Sequence, residues 1–88
     1  MKARDGFILR NIAGEYVLMP TGDNIKTFRG TVLMNELSVF LWNQLQTAAS
    51  FEELLARVLD QYEIDEQTAA ADLDRLTKDM IGMGILEP

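Results

Sequence analysis

At Asn35 the spacing of apolar residues changes period, and this switch limits the chain to folds that lay helices on a small sheet. Up to Met34, β-branched and aromatic residues occur in short runs. The runs are broken by Ala13-Gly14-Glu15 and by Pro20-Thr21-Gly22-Asp23-Asn24, the pattern of strands joined by turns. Three strands are expected, over residues 7–12, 16–19 and 28–34, with residues 20–27 either looped or extended. From Asn35 onward the spacing is helical. Leu37, Phe40, Leu41 and Leu45 fall on one helical face with Trp42 at its edge, and Asn35 is suited to cap the start. Ser50-Phe51-Glu52-Glu53 reads as a capping box for a second helix carrying Leu54, Leu55, Val58, Leu59 and Tyr62. The third begins at Asp65 and places Ala69, Leu73, Leu76, Met80 and Met83 on one stripe. Gly82 and Gly84 are its candidate stops, beyond which Ile85-Leu86 can fold back onto the core.

These elements predict an α+β fold, a three-stranded antiparallel sheet followed by three helices packed on one of its faces. The chain has 88 residues, enough for one compact domain over 1–88 and too few for a second core. Charge is divided at the same boundary. Residues 1–34 carry five basic and three acidic side chains, a balance of +2, whereas residues 35–88 carry three basic and eleven acidic ones, a balance of −8.

The sequence contains no histidine and no cysteine. Imidazole-based triads, tetrahedral zinc sites, iron–sulfur clusters and disulfides all require one of those residues, so any catalysis would rest on carboxylates, Lys or Tyr. No arrangement of paired carboxylates points to acid–base work, and the expectation is a non-enzyme without a cofactor. The densest acidic cluster, Asp60, Glu63, Asp65 and Glu66, fails the spacing of a calcium loop. Counted from Asp60, glycine's place is taken by Asp65 and the bidentate glutamate's by Ala71. An acid-rich helix N-terminus explains the cluster. Asp72, Asp74, Arg75, Lys78 and Asp79 read as a solvated helix face with pairs such as Asp74 and Lys78.

Three strands with helix-turn-helix-like spacing suggest a winged helix, a shape common among DNA readers. Charge opposes that use. The second and third helices hold three basic residues against nine acidic ones, and a recognition helix so loaded would repel the duplex. Residues 1–10 mix Lys2, Arg4, Asp5 and Arg10 without the apolar run of a secretory signal, and no stretch approaches a membrane span of about twenty residues. A cytoplasmic protein with neither nucleic acid nor membrane as partner is expected.

Thr31, Val32, Leu33 and Met34 form a run without charge. At a sheet edge such a run exposes unpaired N–H and C=O groups, which need cover or serve to dock an extended peptide. A second copy of the chain can also satisfy such an edge, which leaves a homodimer open. The ordinary alternative is a strand buried under the helices.

Several segments taken in order resemble the PqqD family. They are VLMNELSVFLW at 32–42, SFEEL at 50–54, YEID at 62–65, Asp72-Leu73, and Gly84-Ile85-Leu86. In that family a Leu-Asn pair precedes a helix containing Ile-Trp, and here Met34-Asn35 and Leu41-Trp42 stand at those places. The departure is residues 21–30, longer and more polar than the family's usual strand connection. The resemblance implies a winged-helix-like peptide chaperone, a RiPP recognition element. Such a domain binds the leader of a ribosomally made precursor peptide and presents it to a modifying enzyme, often a radical SAM protein. It further implies that the leader adds as a strand beside the third strand, in the groove between that strand and the third helix. On this chain the backbone of Thr31, Val32, Leu33 and Met34 would supply ladder bonds, and Arg75, Leu76 and Asp79 would supply pockets and charge. The competing reading is a small interaction or regulatory module of the same fold that serves another pathway and has no leader peptide.

Overall fold

The computed structural model describes residues 1–28, 30–48 and 50–88. Its elements in order are β1 (Lys2–Ala3), β2 (Phe7–Ile12), β3 (Glu15–Pro20), α1 (Asn24–Thr27), β4 (Val32–Met34), α2 (Glu36–Gln44), α3 (Phe51–Gln61), α4 (Glu66–Met83) and β5 (Leu86–Glu87). The fold is α+β, as the change of period implied. A three-stranded antiparallel sheet, ordered β2-β3-β4, lies against the helices, and β1 pairs with β5 in a separate two-stranded ribbon.

The β2–β3 hairpin closes through a two-residue loop, because Ile12 faces Glu15 across Ala13 and Gly14. Both loop residues have positive φ, 53° and 86°, as the right-handed twist of a tight hairpin demands. Gly14 adopts this freely. Ala13 does so against the contact of its Cβ with the following carbonyl. Asn11 supports the turn, its Oδ1 accepting from the Gly14 N–H at 3.0 Å.

The connection from β3 to β4 departs from expectation. It contains the short helix α1, and its Asn24 amide donates to the carbonyls of Asp5 and Gly6, both at 3.0 Å. The third strand is shorter than the run 28–34. Phe28 lies before it in a bend, with its ring edge-on to Phe7 at 5.0 Å, and Gly30 and Thr31 also precede the ladder. Arg29, within the expected strand, lies outside the described residues.

Local chemistry sets the helix ends. Asn35, Ser50 and Asp65 cap α2, α3 and α4, accepting from the N–H groups of Ser38, Glu53 and Thr68 at 2.8, 3.1 and 2.9 Å. Gly84 ends α4 in the left-handed region at φ 83°, with its N–H on the Ile81 carbonyl and that of Ile85 on Met80. The reversal drives Ile85 and Leu86 into the core and brings β5 beside β1. Leu18, Leu41, Leu45, Leu54, Leu73, Ile85 and Leu86 form the fully buried centre. Trp42 is buried with them rather than held at the edge of α2. Thr77 interrupts the apolar stripe of α4 without an orphaned hydroxyl, because its Oγ1 donates to the Leu73 carbonyl at 2.9 Å.

Candidate functional site

β4 is an edge. It pairs with β3 on one side, Val32 opposite Leu18, Leu33 opposite Val17 and Met34 opposite Tyr16, and among the described residues no strand pairs with its other side. Alternation fixes where its side chains go. Val32 and Met34 join the core side, whereas Leu33 points away from it and is 71% exposed. Thr31 stands one residue before the strand and extends the same uncharged approach.

Next to the end of β4, the first residues of α2 and the facing parts of α3 and α4 enclose a concavity of about 420 Å³. Its apolar surface comes from Leu37, Val58, Ile64, Ala69 and Leu73, and Tyr62 adds a ring held edge-on against Phe40 at 5.4 Å. Glu36, Glu63 and Asp72 supply three carboxylates, and no lysine or arginine lines it. A second hollow, of about 470 Å³, opens at the sheet rim between Tyr16, Leu33, Met34 and Asn35. Glu36 lines both, so the two adjoin at the start of α2.

Of the helical residues singled out from sequence, Arg75, Leu76 and Asp79, none lines the concavity, whose α4 wall is Ala69, Asp72 and Leu73. Leu76 and Asp79 lie four and seven residues beyond Asp72, so they continue the same face of α4. Leu76 is half-buried and packs against the core cluster. Arg75 pairs with Asp72 at 3.7 Å, an exposed contact worth well under about 1 kcal/mol. Asp74 and Lys78 form the expected pair at 2.9 Å on the outward side.

Sequence reading did not bring forward Tyr62, Ile64 and Asp72 as site residues. The one local signal was Ile64, an apolar residue set between Glu63 and Asp65 where a wholly solvated linker would be polar. One carboxylate of the acidic cluster there is already engaged. Asp65 spends its carboxylate on Thr68, accepting from the backbone N–H at 2.9 Å and from the hydroxyl at 2.7 Å. These bonds, the backbone one first, hold its pKa below the usual aspartate value. Among the described residues no three His, Cys, Asp or Glu side chains are grouped as a metal site would need.

What the arrangement can do is hold an extended chain, with main-chain groups on β4 and an apolar, acid-rimmed hollow for side chains. No helix among the described residues is long and apolar enough to cross a membrane. The family model of coenzyme PQQ synthesis protein D (PqqD) matches residues 15–86. None of the curated proteins matches the sequence. Among solved structures, TbiB1 in complex with the TbiA(beta) leader peptide is similar with a TM-score of 0.77. The match covers 99% of this chain and 95% of that one at 21% identity, a likeness of fold.

Proposed function

The chain belongs to the PqqD family, and from that premise we propose that it binds the leader segment of a ribosomally made precursor peptide and presents it to a modifying enzyme. The observation that carries the reading is the open, uncharged edge of β4 beside an apolar hollow. A leader laid along β4 completes its ladder through main-chain bonds that demand no fixed sequence, and alternate side chains supply selectivity. That TbiB1, which shares the fold, is in complex with a leader peptide supports the same reading. The protein acts without chemistry of its own, and a radical SAM enzyme in the cytoplasm performs the modification. A disordered leader loses conformational entropy as it orders, so the affinity is moderate.

The test is titration of isotope-labelled protein with a leader peptide encoded beside its gene, following backbone amides by NMR. Shifts concentrated at residues 31–34 and along α4 are expected. If those amides stay fixed while others move, the peptide binds elsewhere and the groove reading fails.

A further inference from the structure

The three-stranded sheet has a second face, turned away from the helices, and it is not the polar surface that one-sided burial calls for. Leu18 and Met34 belong to the core, so by alternation Val17, Met19 and Leu33 look outward, together with Ile8, Arg10 and Ile12 of β2. The register sets these side chains in rows. Arg10, Val17 and Leu33 lie side by side across all three strands, with Ile8 beside Met19 on one side and Ile12 beside Glu15 on the other. Ile8, Ile12 and Leu33 are 40, 53 and 71% exposed, and Val17 between Arg10 and Leu33 is buried. Three large exposed hydrophobic residues on one face of a small sheet form a patch rather than scattered exceptions.

We propose that this outer sheet face docks a second protein, one whose contact surface is apolar and carries carboxylates. Charge selects that occupant. Arg10, in the middle row, is the one cation of the three strands and forms no ion pair among the described residues, while Glu15 at the rim is their one carboxylate. Arg10 is exposed, and its guanidinium, flanked by apolar neighbours, offers a planar fork to a carboxylate. A second copy fits less well, because face-to-face pairing brings a second Arg10 toward the same centre. An anionic membrane also fits less well, with a single cation on the face of a chain whose net charge is −6. The face does not line the hollow beside α4 and meets the β4 edge at Leu33, so its β2 and β3 part stays open while a peptide occupies β4.

The experiment uses the full chain, isotope-labelled, and two synthetic 18-residue helical probes that share a leucine stripe, flanked in one by glutamates and in the other by lysines. The glutamate probe is expected to shift the amides of β2, β3 and β4, and Arg10→Glu to weaken its binding at least about tenfold. The same variant is expected to gain binding of the lysine probe. Ile12→Asp, at an exposed rim position, is expected to weaken both. Equal binding of the two probes, binding of neither, binding of phosphatidylglycerol vesicles through these amides, or self-association through them in sedimentation each overturns the proposal.

Discussion

β2 and β4 close the same sheet from opposite sides, and they differ as edges. β2 runs for six residues and carries Arg10 near its middle; β4 has three residues and no charge. Charge on an edge discourages pairing with a further strand, and its absence invites it. Surroundings sharpen the contrast. β4 leads directly into α2, whose first residues wall the apolar hollow, whereas no residue of β2 lines that hollow. One sheet therefore offers one guarded and one receptive edge. Under the proposed function, the difference assigns peptide binding to the junction of β4, α2 and α4 rather than to exposed strands in general.

Both edges depend on the strand between them, and the largest effect is expected there. Leu18 is fully buried in β3, opposite Leu9 on one side and Val32 on the other. Leu18→Ala is expected to cost about 2–5 kcal/mol, read as a lower denaturation midpoint, because the cavity collapses only in part. A midpoint shift below about 1 kcal/mol would mean that the sheet is held from outside its central strand.

Proline separates the two edges directly. Successive residues of an antiparallel edge strand direct their N–H groups alternately toward the neighbouring strand and outward. Of Val32→Pro and Leu33→Pro, one thus breaks a bond to β3 and the other removes an outward donor. The variant that keeps native stability is expected to weaken leader binding about tenfold, or ~1.4 kcal/mol. The corresponding change on β2, at Leu9 or Arg10, should leave leader affinity untouched in a fluorescence anisotropy titration. Equal losses at both edges would end the distinction drawn between them.

How much of this was legible in the sequence follows from the range of the interactions. The caps at Asn35, Ser50 and Asp65 and the stop at Gly84 join residues three to five apart, so their chemistry is written locally. The uncharged run at 31–34 was legible for the same reason. α1 was not, because the Asn24 amide that ties it down bonds residues 18 and 19 positions away. Nor were β1 and β5, two-residue strands with no period to read, which pair because the chain ends meet. The helical wall of the hollow, Ala69, Asp72 and Leu73, was not legible either. Its lining is set by where Tyr62 and Ile64 approach Leu37, a contact between three elements that spacing within one helix does not encode.

A smaller effect concerns the guarded side. Ala13 holds a left-handed conformation in the β2–β3 turn, at φ 53°. Asn tolerates that region better and gives the preferred Asn-Gly pair for such a turn, so Ala13→Asn is expected to stabilise the chain by roughly 0.5–1 kcal/mol. The gain should appear in thermal unfolding with no change in leader affinity. A change in affinity would show that the hairpin and the receptive edge are coupled.

The smallest effect separates the two sides by pH. Asp65 caps α4, whose first turns wall the hollow beside β4, and its pKa is lowered chiefly by the Thr68 N–H and then by the Thr68 hydroxyl. A carboxyl whose pKa is lower in the folded than in the unfolded chain stabilises the fold above its unfolded value. That contribution is lost as pH falls through the folded one. The start of α4 should therefore loosen only below the usual aspartate range, seen as faster hydrogen exchange at the Thr68 amide, while amides of the β2–β3 hairpin keep their protection over the same interval. Asp65→Asn retains a side-chain acceptor for the cap and cannot titrate, so it should abolish the pH response while leaving the helix start in place. An Asp65 carboxyl that titrates at or above the ordinary aspartate value, or a hairpin that opens in step with α4, would show that the two sides of the molecule share one acid transition.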